Sequence, residues 1–325
     1  MPSVIESAGN RTKKRFVEYF TAEIRNPNTR AAYFRAVDRF LAWCTASGFD
    51  LLTIEPVVVA RYIEERCPET RPEMLADSRT SRTVADSSTK QHLAAIRMLF
   101  NYLITGGLLE TNPATSVRGP KVVVEKGKTP VLSAKEAREL LDSIELVDKN
   151  GESKIGGLRD RALIGVMVYS FARIGATVAM HVEDVYPKDR RLWIRLHEKG
   201  GKYHEMPLHH NAEEYLDAYI NAAGIADQRS TPLFRTLGPK RDLTENRIHR
   251  NEVLSMIKRR TRKIGLNPDI SCHSFRATGI TEYMRNGGTL EKAQQMAAHA
   301  SSRTTNMYNH VQDEVTLDEV ERILI

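Results

Sequence analysis

Apolar residues recur at helical spacing through most of this chain and at strand spacing in one stretch. Residues up to about Lys14 are polar and read as a frayed end. Phe16, Tyr19, Phe20 and Ile24 then share one face of a first helix, which ends before Asn26-Pro27-Asn28. Thr29 is placed to cap a second helix bearing Tyr33, Val37, Phe40, Leu41 and Cys44, stopped by Gly48. A third helix follows Pro56 and carries Val59, Tyr62 and Ile63. Pro68 to about Ser87 is rich in Pro, Thr, Ser and charge and reads as a loop. A fourth helix starts near Ser88, with Leu93, Ile96, Leu99, Phe100 and Leu103 in one stripe, and ends at Gly106-Gly107. Four short helices of this kind make a small all-α domain.

The second half has a different texture. Lys121 to Pro130 holds three lysines and little that packs, as an interdomain linker would. Ser133 and Glu136 form a capping box that opens a helix through Leu140, Leu141 and Ile144. Leu158 to about Tyr169 is apolar enough to be a buried helix. Leu192 to Leu196 and Tyr203 to Pro207 favour extended structure, and the glycines of Glu198-Lys199-Gly200-Gly201-Lys202 supply the turn of a β-hairpin. Asn211 caps a helix through Leu216 and Ile220, and Thr244 to Ile264 reads as one long helix with a basic end. The expectation is a mainly α protein with a small β-sheet in its C-terminal domain (α+β).

Composition narrows the class. The chain has 325 residues, 41% hydrophobic and 27% charged, which fits about two globular domains. No apolar run is long enough to span a membrane, and the N-terminus lacks a secretory signal, so a cytoplasmic location is expected. The three cysteines Cys44, Cys67 and Cys272 are scattered, without the spacing of a disulfide framework or a zinc site, so no metal is expected. The net charge of +7 suggests a polyanionic partner, though charge alone is weak evidence. Arg30, Arg35, Arg39, Lys90 and Arg97 in the first domain, and Arg259, Arg260 and Arg262 in the second, are candidates to face phosphates. For any single one of them a solvated helix face is the competing account.

The chemistry concentrates near the end. His273 and Arg276 are three apart, so on a helix both side chains address one side. Phe275, Ile280, Tyr283 and Met284 give that helix a buried face, and Gly287-Gly288 stops it. A short helix from Leu290 to Ala297 delivers His299. Ser301 or Ser302 is placed to cap another helix, which carries Tyr308.

The pattern His-x-x-Arg, then Ala298-His299-Ala300-Ser301, then Thr304-Thr305 and Tyr308, resembles the C-terminal signature of the tyrosine recombinases, or phage integrase family. The intervals, 26 positions from His273 to His299 and 9 on to Tyr308, fit that family. The resemblance extends to a first-arginine motif resembling Thr-Gly-Leu-Arg-x-x-Glu, met here at Ser170 to Ala176 with Arg173 as the match. Phe171 replaces its glycine and Ala176 its acidic residue. A hairpin lysine resembling that of Gly-Lys-Gly-x-Lys falls on Lys199. Lys202 remains possible in that role and is otherwise counted as a DNA contact.

The resemblance implies a four-helix SAM-like core-binding domain (13–120), a linker (121–130), a catalytic domain (131–312) and a tail helix (313–325) that docks on a neighbouring protomer. It implies a site-specific recombinase acting on double-stranded DNA, with Tyr308 as nucleophile and Arg173, Lys199, His273, Arg276 and His299 as the other catalytic residues. A 3′-phosphotyrosyl intermediate, a tetramer on two sites, no cofactor and no small-molecule ligand follow from the same resemblance. So does origin in a mobile element. About a dozen residues precede the first helix, too few for a separate arm-binding domain. A silent DNA-binding accessory protein and a type IB topoisomerase are the alternatives; only the departures at Phe171 and Ala176 support the former, against six aligned catalytic-type residues, and the family-like N-terminal domain opposes the latter.

Overall fold

The computed structural model describes residues 1–66, 86–120, 129–198, 202–299 and 305. The chain divides into two units, Met1–Val124 and Glu125–Ile325.

In the first unit the expected frayed end is a pair of helices, α1 (Ser3–Ser7) and α2 (Asn10–Glu18), joined through Gly9 at a φ of 88° that glycine adopts without strain. The apolar pair Val4 and Ile5 explains the difference: both are buried against the unit's core, and the Ser3 and Thr45 hydroxyls meet at 2.9 Å. A π turn, Tyr19–Glu23, follows α2. Next come α3 (Pro27–Ala46), α4 (Pro56–Arg66) and α5 (Asp86–Thr105). Asn26, not Thr29, caps α3, its side chain accepting from the amides of Asn28 and Thr29 with Pro27 in the first helical position. The stripes expected from sequence meet in one core of Phe16, Tyr19, Val37, Phe40, Leu41, Tyr62, Leu93, Ile96 and Phe100. The expected loop lies outside the described residues apart from its last two, with which α5 begins. Cys67 and the linker residues 121–128 also lie outside them.

The second unit opens with α6 (Ala134–Asp142), whose Ser133–Glu136 capping box is formed as expected. Helix α7 (Ile155–Tyr169) is buried on nearly every side and runs through the main core, as its apolar sequence requires. Helix α8 (Ile174–Ala179) leads to an antiparallel sheet of β1 (Val185–Lys188), β2 (Arg191–Glu198) and β3 (Lys202–Pro207), in that order. The β2–β3 hairpin was expected and β1 was not. It is only four residues long, half-buried at its start and exposed at its end, and turns into β2 through Asp189 and Arg190, both at positive φ as such tight turns demand.

After α9 (His210–Ala223) come β4 (Arg235–Leu237), β5 (Leu243–Arg247) and α10 (Arg250–Lys263). The long helix expected from Thr244 is therefore a strand followed by a shorter helix. Thr244 meets Thr236 across the pair at 2.5 Å, a β-branched contact that favours the ladder, and the His249 side chain caps α10. Likewise His209, not Asn211, caps α9, while the Asn211 amide donates to the Tyr169 hydroxyl. Helices α11 (Cys272–Arg285) and α12 (Leu290–Met296) complete the described structure.

Two packing details fix the loops that flank α11. A satellite core of Phe171, Ala277, Ile280, Ala293 and Ala297 locks α11 to α12 and to the segment after α7. That segment is pressed close: a Cβ on Gly279 would lie 2.1 Å from the Val168 carbonyl and 2.7 Å from the Phe171 ring, so α11 can approach only through a glycine.

Candidate active site

Helix α7 ends at Tyr169, and the chain reverses through Phe171 at a φ of 54°. A left-handed residue with a side chain is held only where its surroundings over-determine it, and here the ring, 3% exposed, is anchored in the satellite core. The reversal sets Arg173 at the N-cap of α8 with its side chain 38% exposed. Its Nη1 donates to Glu198 Oε2 at 2.5 Å, and the Glu198 side chain is only 7% exposed.

From the other side α11 brings His273 and Arg276, the first exposed and the second 1% exposed. The Arg276 guanidinium donates to the Phe171 carbonyl through Nη1 and to the Ala297 carbonyl through Nη2, the latter at 2.5 Å. It therefore staples the loop of Arg173 to the loop of His299. Two of its N–H groups thus hold backbone, so a buried positive charge sits where the two loops meet. Beyond Ala297 the chain turns through Ala298 at a φ of 46°. His299 is pinned by its amide to Gln294 O and by Nδ1 to the Thr305 hydroxyl at 2.9 Å.

The electrostatics record the convergence. Burial pushes His299 down to about 3, with Arg276, Arg173 and His273 adding to the effect. His273, exposed at its surface yet packed against its neighbours, is lowered first by partial desolvation and then by the Arg276 and Arg173 guanidiniums. Both imidazoles are thus neutral near pH 7, within the positive field of Arg173 and Arg276. His204 on β3, lowered chiefly by burial, feels both Glu198 and Arg276 and so lies between hairpin and helix.

Four of the expected residues, Arg173, His273, Arg276 and His299, are therefore brought together. Lys199 and Tyr308 lie outside the described residues, as do the helix expected to carry Tyr308 and the tail 313–325. Lys202 pairs with Glu198 in the last rung of the β2–β3 ladder, and its side chain is outside the described set.

Of the candidate DNA contacts, Arg35, Arg39, Lys90, Arg259 and Arg262 are exposed. Arg97 is turned onto the carbonyls of Ala114 and Val117, and Arg30 onto that of Ile24. Arg260 is bound to the buried Asp160, which it shares with Arg159. These three serve the fold.

Glu198, His204 and Thr305 were missed as site neighbours. Glu198 read as a turn residue, and only its place beside Lys199 pointed to it. Among the described residues no group of three metal-ligating side chains is present, and no helix is long and apolar enough to cross a membrane.

Comparison with known proteins gives a consistent result. The model of the phage integrase family matches residues 130–315, and that of the phage integrase N-terminal SAM-like domain matches residues 14–107. The chain is 28% identical over 289 residues to tyrosine recombinase XerC of Pelobacter propionicus, covering 88% of this chain and 85% of the relative. It is 25% identical over 323 residues to tyrosine recombinase XerD of Chlorobaculum tepidum, covering 98% and 97%. Among solved structures it is similar to XerH site-specific recombinase bound to a palindromic difH substrate, with a TM-score of 0.67 at 17% identity, covering 97% of this chain and 88% of that one. It is likewise similar to a lambda integrase tetramer bound to a Holliday junction, with a TM-score of 0.66 at 15% identity and coverage of 97% and 82%. At such identities the structural likeness establishes a shared fold.

Proposed function

The chain belongs to the phage integrase family, and from that premise we propose that this site-specific recombinase cleaves and rejoins DNA through a covalent 3′-phosphotyrosyl bond to Tyr308. The observation that carries the reading is the meeting of Arg173, His273, Arg276 and His299, drawn from three separate segments, in one positive, partly buried site. Attack on a phosphodiester builds negative charge on the non-bridging oxygens, and cations already in place stabilise it without reorganisation. Arg173 is exposed enough to reach such an oxygen. Arg276 supplies charge from below and keeps both loops in register.

The histidines take different parts. A group held near 3 is a poor proton acceptor at neutral pH, so His299 serves as a hydrogen-bonding partner of the phosphate, fixed in orientation by Thr305. His273, at the start of α11, takes the Tyr308 proton. Lys199 protonates the leaving 5′-oxygen. That hydroxyl, or its counterpart from a second duplex, then attacks the phosphotyrosyl bond and regenerates Tyr308, so no external energy source is consumed. Exchange between duplexes requires four protomers on two sites. The exposed arginines of α3 and α10 and the net charge of +7 suit the sugar-phosphate backbone. We place the enzyme in a mobile element as its integrase.

The test compares wild type with Tyr308→Phe for covalent protein–DNA adducts trapped in cells, with the attached DNA sequenced. Adducts at one recurrent sequence, lost in the variant, are expected. Adducts scattered without sequence preference would favour strand relaxation over recombination. DNA binding without any adduct would overturn the reading.

A further inference from the structure

We propose that Glu198 is a positioning residue for this reaction, supplying to Arg173 from the end of β2 the carboxylate that the family's first-arginine motif carries three residues after its arginine and that Ala176 lacks. The inference rests on the function proposed above. Its basis is the ion pair itself, Arg173 Nη1 to Glu198 Oε2 at 2.5 Å, formed between a carboxylate almost out of solvent and a guanidinium that still opens to it.

The alternative is an incidental strand-end ion pair. Such pairs between exposed side chains contribute little, because water screens them and ordering two long side chains has an entropic cost. Glu198 is not exposed. Its side chain, 7% exposed, is a carboxylate set against the Arg173 guanidinium and near the His204 imidazole, and removing its charge leaves Arg173 uncompensated.

The vacancy it fills is specific. Ala176 lies one turn after Arg173 on the same side of α8 and is buried in the main core, so no carboxylate reaches Arg173 from its own helix at that position. Glu198 reaches the same guanidinium from a different element. It takes one N–H of the fork while the Arg173 side chain stays 38% exposed, so the guanidinium is restrained yet still open to solvent.

A second consequence comes from chain position. Glu198 is the last described residue of β2, paired with Lys202 and adjoining Lys199. The same bond therefore ties the hairpin strand that leads to Lys199 to the loop of Arg173.

The experiment measures single-turnover adduct formation on DNA carrying the recovered site, together with DNA affinity, for the full-length protein. Glu198→Gln should slow cleavage by about tenfold to a hundredfold, the loss known for outer partners of metal ligands, while affinity stays within about threefold. Glu198→Asp, which keeps the charge, should retain most of the rate. Ala176→Glu placed in the Glu198→Gln protein should restore at least part of it, a rescue that a merely structural role does not give. If Ala176→Glu does not fold, the contrast between Asp and Gln at position 198 decides.

A Glu198→Gln protein as fast as wild type, or faster, overturns the proposal; a faster one would make Glu198 a latch. Wild type that forms no Tyr308-dependent adduct overturns the proposed function, and with it any role of Glu198 in the reaction. In that case a thermal double-mutant cycle of Arg173→Ala with Glu198→Gln still reports the pair, and the absence of coupling there would refute the structural basis as well.

Discussion

Replacing Phe171 by glycine and by alanine separates its ring from its backbone. Both variants lose a ring buried among Ala277, Ile280, Ala293 and Ala297, a change that costs about 3–5 kcal/mol in a packed core. They differ in what the main chain must do. At a φ of 54° an L residue carries about 1–2 kcal/mol of strain that glycine does not. In a helix or strand glycine is the less stable choice by about 0.5–1 kcal/mol, so at Phe171 the usual order should reverse. We expect Phe171→Gly to be more stable than Phe171→Ala by about 1 kcal/mol, with both far below wild type. Urea unfolding followed by Trp193 fluorescence in a Trp43→Phe background reads the second unit alone, since the other tryptophan lies in the first. An alanine variant equal to or more stable than the glycine variant would refute the strained reversal. Cleavage should fall in both, because the Phe171 carbonyl holds Arg276.

Two further outcomes concern the staple and the buried imidazole. Arg276→Lys cannot hold the Phe171 and Ala297 carbonyls with one fork, so cleavage should fall by about two powers of ten or more while DNA affinity changes only a few-fold; unchanged cleavage in a single-turnover assay would remove Arg276 from the site. His299 has a folded pKa of about 3, below its ordinary 6.5, so its neutral form stabilises the fold above about pH 6.5 and that contribution is lost as pH falls toward 3. The slope it adds is at most about 1.4 kcal/mol per pH unit, and urea midpoints at pH 7, 5.5 and 4.5 should converge for wild type and His299→Gln relative to their separation at pH 7. Parallel curves would contradict the assignment.

The helices and the hairpin were legible because their apolar stripes repeat at the periods that burial requires, as in α5 and β2. The ends were less so. Asn26 displaced Thr29 as a cap because Pro27 suits the first helical position, and Val4 with Ile5 made a helix of an end that its polar neighbours disguised. The β4–β5 pair escaped because three- and five-residue strands carry too little pattern to stand out from a helix start. In the site, His273, Arg276 and His299 stood out by ordered spacing and Arg173 by resemblance to the family motif, and the structure brings the four together. Their division of labour was not legible there: that Arg276 faces inward, and that Glu198 meets Arg173 from another element, depend on pairings between distant segments. The composition of neither segment announces them.

The Arg276 staple also governs how late in synthesis this site can be completed. One of its carbonyl partners lies 105 residues earlier in the chain and the other 21 residues later. During synthesis the first unit can fold as soon as it emerges, since domains form in order from the N-terminus. The cleavage centre cannot. A chain halted on the ribosome before Ala297 lacks one end of the staple and the whole His299 loop, so on the proposed function a truncated product would not cleave DNA.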